Sequence, residues 1–185
     1  MGNSAIRFLL SAGLSVLVGA AWASGTAVGK ALPNVSLPGT DGRTYNAAAL
    51  AARPTVLVFI NSRCGHSVDA IPSVNRLSAG LGTGARLLGV ANVDRAQAAQ
   101  LRTRLKANFP ILADPDGKLI EAFGATHSMD VGVVRPQGRM MVRRWNEFSQ
   151  ASVTGVLELL RTMGVRGVRV GGADFRGVSH SGCSF

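Results

Sequence analysis

The stretch Thr55 to Pro72, TVLVFINSRCGHSVDAIP, constrains this chain more than any other. Thr55 to Ile60 is apolar and β-branched on consecutive positions, which predicts a central strand buried on both faces rather than a half-exposed one. Cys64 follows four residues later. Beyond it Val68, Ile71, Val74 and Leu77 recur at spacings of three, which predicts one apolar stripe along a helix. The cysteine is therefore expected where a buried strand hands over to a helix N-terminus. There, free backbone N–H groups and the positive end of the helix dipole favour an anion, and a thiolate is one. Asn61, Ser62 and Ser67 supply turn and capping chemistry around it.

The remaining chain alternates strand and helix signals, which predicts an α/β domain. Arg86 to Val93 reads as a second strand, followed by a helix from Arg95 to Ala107 with Asp94 as N-cap and Ala98, Leu101 and Leu105 facing inward. Phe109 to Leu112 is a short strand, and Asp114-Pro115-Asp116-Gly117 carries the residues that turns require. Lys118 to Phe123 is a short helix stopped by Gly124. Val131–Val134 and Arg139–Trp145 form a hairpin about Pro136-Gln137-Gly138. A last helix, Val153 to Met163, turns Val156, Leu157, Leu160 and Met163 inward.

Both ends differ in character. Arg7 is the only charge ahead of the 16-residue apolar run Phe8 to Ala23, and Ala21-Trp22-Ala23 fits a small-x-small cleavage site, so residues 1–23 read as an export signal. The run is short for a membrane span. Periplasmic or secreted localisation, a protein not integral to the membrane after cleavage, and an oxidising environment are the corresponding expectations. Residues 24–31 are expected as a linker and 32–163 as the domain. Residues 164–185, with six glycines in 22 residues and three arginines, read as a flexible Gly/Arg-rich tail. The net charge is +10, and seventeen of the twenty basic residues are arginine. With few aromatics and no nucleic-acid motif, this charge reads as a solvated face, and no nucleic-acid partner is expected. No phosphate loop, paired-carboxylate site or serine triad is visible.

FINSRCGHSVDAIP resembles the active-site segment of the thioredoxin superfamily: a buried strand, a short loop, Cys-Gly-x-x, and a proline eight residues after the cysteine, here Pro72. Pro33 to Leu50, PNVSLPGTDGRTYNAAAL, resembles the N-terminal hairpin of the redoxin branch, the alkyl hydroperoxide reductase and thiol-specific antioxidant relatives. The resemblance runs from about Leu32 to about Met163. It implies a thioredoxin-like fold, a central mixed sheet flanked by helices with an N-terminal redoxin hairpin.

Departures from that pattern shape the functional expectation. The second motif cysteine is replaced by Ser67, so Cys64-Gly65-His66-Ser67 closes no disulfide of its own. The loop proline that faces the cysteine is replaced by Met129, and the peroxide-activating residues of peroxidase members are replaced by Met129 and Asn61. The expectation is an exported monothiol redox protein, a thiol oxidoreductase or antioxidant. In it the Cys64 thiolate attacks a disulfide or peroxide, giving a mixed disulfide or sulfenic acid. His66, as in disulfide oxidases with histidine at that position, would tune the thiolate, and Ser67 would at most hydrogen-bond the sulfur. Partners would be thiol or disulfide proteins or a low-molecular-weight thiol. A tail carrying Cys183 could deliver a resolving thiol; an incidental thiol is the alternative.

Two other readings follow from the same residues. Copper chaperones of cytochrome oxidase assembly share this fold and carry His-Ser eleven residues before the hairpin glycine, as His127-Ser128 stands before Gly138. That resemblance implies Cu(I) as cargo, held by Cys64, His127 and either His66 or Met129, although the second chaperone cysteine is replaced by Val68. The last reading is a redoxin fold with decayed catalytic residues that serves as a binding module.

Overall fold

The computed structural model describes residues 25–185. In chain order it contains β1 (Thr26–Ala31), β2 (Ser36–Pro38), β3 (Thr44–Asn46), α1 (Ala47–Leu50), β4 (Thr55–Ile60), α2 (His66–Gly80), β5 (Arg86–Ala91) and α3 (Arg95–Leu105). These are followed by β6 (Ile111–Ala113), α4 (Lys118–Phe123), β7 (Val131–Arg135), β8 (Met140–Trp145), β9 (Phe148–Ser149), α5 (Gln150–Thr162) and β10 (Ser179–His180).

Six strands form one mixed sheet in the order β1-β8-β7-β4-β5-β6. β4, β5 and β6 run parallel, β7 lies antiparallel beside β4, and β8 lies antiparallel on the far side of β7. The strand expected to be buried on both faces is buried at all six positions. Val56, Val58 and Ile60 face a core built with Ile71, Val74 and Leu77 of α2 and Val156 and Leu160 of α5. Leu57 and Phe59 face the opposite core, with Tyr45, Leu50, Leu119 and Phe123. Each fully buried side chain of this size contributes about 1.5–3 kcal/mol relative to exposure, so β4 anchors both layers.

Helix boundaries follow local chemistry. Asp94 accepts from Gln97 N at 2.8 Å, Gln97 Oε1 accepts from Asp94 N, and the reciprocal box opens α3. Ser149 and Ser152 form the equivalent box at α5, three residues earlier than the periodicity predicts. Gly124, left-handed at φ 65°, stops α4. The expected hairpin between β7 and β8 turns through Gln137–Arg139 with Gly138 at φ 72°.

Three expectations need correction. Val68 is 51% exposed, because the inward position one turn before Ile71 on this helix is Ser67, which is buried instead. Within the stretch read as a linker, Thr26–Ala31 forms β1, which pairs antiparallel with β8 and completes the sheet edge. The segment 164–185 is not a loose tail: Val165, Val168, Val170 and Val178 pack on the core, and Phe175 is fully buried. Phe175 meets Phe148 edge-on with ring centroids 6.2 Å apart, and Arg76 stands over its other side at 5.9 Å. Its glycines had suggested disorder by composition; spaced valines and one phenylalanine are sufficient to dock it.

Candidate redox site

Cys64 lies between β4 and α2, where the apolar run and the helix stripe predicted it. Its N–H donates to Asn61 O at 3.1 Å, and its C=O accepts from Ser67 N at 3.2 Å, so a tight turn leads directly into the helix. Cys64 is 4% exposed, while Cys183 is at the surface. The two are joined in a disulfide with Cα atoms 5.6 Å apart across 119 residues. In this state Cys64 carries no ionisable thiol.

The C-terminal segment reaches the sulfur by a run of main-chain pairing. Gly182 N donates to Ser128 O at 2.9 Å, Ser128 N donates to Cys183 O at 2.8 Å, and Phe185 N donates to Thr126 O at 3.1 Å. His127 and Ser184 form the corresponding antiparallel bridge. Asn61 Nδ2 donates to Ser184 O at 2.6 Å, and Cys183 N donates to Cys64 Sγ at 2.9 Å. The tail is thus seated as a short strand along the loop that precedes β7.

That loop is held from beneath. Asp130 is fully buried, and its Oδ2 accepts from Thr126 N at 2.9 Å and His127 N at 3.4 Å and pairs with Arg144 Nη1 at 3.2 Å. Its Oδ1 has no hydrogen-bond partner. Burial pushes the Asp130 carboxyl above the ordinary carboxylate range, against the lowering effect of those hydrogen bonds and of Arg144. Met129 N donates to Phe59 O at 2.7 Å, which fixes the loop to β4. Met129 takes a left-handed φ of 72°, an uncommon conformation outside glycine, and there is no cis peptide bond among the described residues.

The remaining predicted residues are distributed around this centre. Ser67 is buried and shares a hydrogen bond with Ser128 Oγ at 2.7 Å, with a longer one to Asn61 O at 3.5 Å. His66 is exposed at the first position of α2. His127 is half-buried, its Nδ1 bonded to Thr126 Oγ1 at 2.8 Å. Met129 is fully buried within the core cluster. Among the described residues no group of three or more His, Cys, Asp or Glu is arranged to hold a metal ion, and Cys64 Sγ is already bonded to Cys183. Ser128, Asp130 and Gly182 were not singled out from the sequence. Only the adjacency of Ser128 to His127 marked its position, and nothing local marked the other two.

The AhpC/TSA family matches residues 28–144. The chain belongs to the AhpC/TSA family. It is a thioredoxin-like redox protein with the redoxin hairpin at β2 and β3. Similar solved structures include the bacterioferritin comigratory protein of Xanthomonas campestris, reported for alkyl peroxide reduction. It is 18% identical over 75% of this chain and 98% of that one, with a TM-score of 0.58. The exposed lipoprotein thioredoxin Etrx1 of Streptococcus pneumoniae is 22% identical over 70% and 99%, with a TM-score of 0.59. MTB DsbF, in mixed oxidised and reduced forms, is 25% identical over 71% and 93%, with a TM-score of 0.55. No curated protein matches the chain. Among the described residues no helix is long and apolar enough to cross a membrane. The export-signal reading falls on residues 1–23, outside those described.

Proposed function

We propose that this AhpC/TSA-family chain is an exported thiol–disulfide exchange protein whose redox centre is the pair Cys64 and Cys183. The observation that carries this reading is the disulfide between a buried helix-start cysteine and a tail seated by main-chain pairing on the facing loop. It replaces the monothiol expectation, since the second thiol missing at Ser67 is supplied from the far end of the chain.

Reduced Cys64, as thiolate at the start of α2, attacks one sulfur of a substrate disulfide R–S–S–R′. A Cys64–S–S–R bond forms, and R′S⁻ leaves. The Cys183 thiolate then attacks Cys64 Sγ, expelling RS⁻ and closing the Cys64–Cys183 disulfide. The substrate gains two electrons, the pair loses two, and an external thiol restores the reduced state. His66, exposed two residues from Cys64, would tune thiolate stability, and Ser67 would hold the loop through Ser128 rather than contact the sulfur.

Family membership favours a second reading, in which a peroxide replaces the disulfide. Cys64 thiolate attacks the terminal peroxide oxygen, the O–O bond breaks, the departing alkoxide takes a proton from water to leave as the alcohol, and the sulfenic acid condenses with the Cys183 thiol, releasing water. Asn61 and Met129, in the places where the resemblance calls for activating groups, weigh against it.

The test is to mix reduced wild type, Cys64→Ser and Cys183→Ser with a disulfide or an alkyl hydroperoxide and to follow thiol loss and mass. Fast two-electron oxidation of wild type to the Cys64–Cys183 form is expected, with a trapped Cys64 adduct in Cys183→Ser and no reaction in Cys64→Ser. Unchanged oxidation in Cys64→Ser would refute the reading. Export is supported by the apolar run at residues 8–23, and N-terminal sequencing of the mature protein tests it.

A further inference from the structure

Val68 and Phe185 are the large apolar side chains left exposed among the described residues, and each borders a cavity abutting Asn61-Ser62-Arg63. The cavity beside Val68 is a cleft of about 380 Å³ between the first turn of α2 and the last turns of α3. It is lined by apolar Val68, Leu101 and Leu105, by the exposed Arg63 and Arg104, and by Cys64; Cys183 does not line it. The Arg104 guanidinium is held there by donating from Nη2 to Ser62 O at 2.8 Å, which leaves its other donors for a ligand. None of the lining residues is acidic, and Asp69, the acidic residue of the first turn of α2, is not among them. Cation, apolar lining and reactive sulfur thus converge in a space suited to a molecule of a few residues.

We infer that this cleft docks a low-molecular-weight thiol bearing carboxylates, so that its disulfide is the substrate that Cys64 attacks. This rests on the exchange reading above and specifies its substrate. The carboxylates lie against Arg63 and Arg104, and the aliphatic part lies on Val68 and Leu105. The ligand's sulfur is then presented to Cys64. Cys64–S–S–R forms while the second RS⁻ departs, and Cys183 closes the pair and releases RS⁻ as before. Two exposed ion pairs are individually weak, so the preference they give is moderate and sensitive to salt.

The experiment measures oxidation of the reduced full chain by glutathione disulfide, by its tetraethyl ester and by 2-hydroxyethyl disulfide. It compares wild type with Arg63→Gln, Arg104→Gln and the double variant, at low and high salt. S-methylglutathione, which has no thiol, is added as a competitor. Glutathione disulfide is expected to react roughly fivefold faster than its ester at low salt. The advantage, taken as the ratio of the glutathione disulfide rate to the 2-hydroxyethyl disulfide rate of the same variant, should shrink in each arginine variant and at high salt. S-methylglutathione should slow the acidic substrate. Equal rates for acid and ester, an advantage kept in the double variant, or no competition would overturn the inference. Faster oxidation by the disulfide-linked dimer of a longer acidic cysteinyl peptide than by glutathione disulfide would overturn it in favour of a protein partner. If no disulfide oxidises the wild-type pair, the exchange reading itself fails, an outcome distinct from loss of the acid preference alone.

Discussion

Ser67 and Ser128 share a buried hydrogen bond, Oγ to Oγ at 2.7 Å, that ties the first turn of α2 to the loop seating the C-terminal segment. Ser128 Oγ also accepts from Asn61 N at 3.0 Å. Ser128→Ala would remove the side-chain partner of the half-buried Asn61 N and leave the buried Ser67 Oγ only its 3.5 Å bond to Asn61 O, with a cost of about 1–3 kcal/mol. Urea denaturation should show that loss. Ser128→Ala with wild-type stability would mean that the pair contributes nothing net.

The same buried position predicts the outcome of restoring a motif cysteine. In Ser67→Cys, three residues from Cys64 and on the same turn, the new thiol competes with Cys183 for Cys64. Mass mapping of the oxidised variant should find Cys64 cross-linked to the introduced thiol in a substantial share of molecules. Exclusive Cys64–Cys183 linkage would show that the seated tail outcompetes a neighbour on the same turn.

Gly182 packs closely against the loop. A Cβ added there would lie 2.6 Å from both Ser128 O and Ser128 Cβ, closer than backbone and side chain can tolerate. Gly182→Ala should therefore unseat the bridge while leaving the domain folded. Titration against a thiol/disulfide buffer should place the Cys64–Cys183 equilibrium at least roughly tenfold toward the dithiol, the loss of about 1.4 kcal/mol of docking. An unchanged equilibrium would mean that the pairing does not help closure.

Phe175 anchors the middle of the same segment, between the Phe148 ring and Arg76. Phe175→Ala should cost about 3–5 kcal/mol of stability if the site does not collapse. It should also slow disulfide closure, because Cys183 then searches on a longer free chain. Stopped-flow oxidation of a folded, milder Phe175→Leu variant separates the two effects.

The buried Asp130 carboxyl gives a pH signature. Its folded-state pKa is raised, chiefly by desolvation, as is that of Asp114, so each binds its proton more tightly in the folded chain than in the unfolded one. Their contributions therefore favour the folded state at pH below the ordinary carboxylate value. They are lost as pH rises from that value through the raised folded pKa. Across that window the urea midpoint of Asp130→Asn should fall less with rising pH than that of wild type. A steeper fall in the variant would show that Arg144 and the loop N–H groups outweigh burial.

What the sequence determined by itself was local. Five consecutive apolar residues from Val56 to Ile60, opened by the β-branched Thr55, are satisfied by a strand covered on both faces, and that placed the sheet centre and the cysteine after it. Asp94 with Gln97 set the start of α3, and Gly124 set the end of α4, because capping and left-handed backbone are decided within a few residues. The tertiary structure decided what lay far apart. Glycine-rich composition hid Phe175 because a docking aromatic needs a distant pocket, here made with Phe148. Residues 24–31 read as a linker because an edge strand's pairing is with β8, more than a hundred residues away. Cys183 is the only other cysteine, yet no local pattern shows that it meets Cys64. The 119-residue separation to Cys183 is bridged by main-chain hydrogen bonds to Thr126 and Ser128, and those depend on three-dimensional approach rather than on side-chain identity.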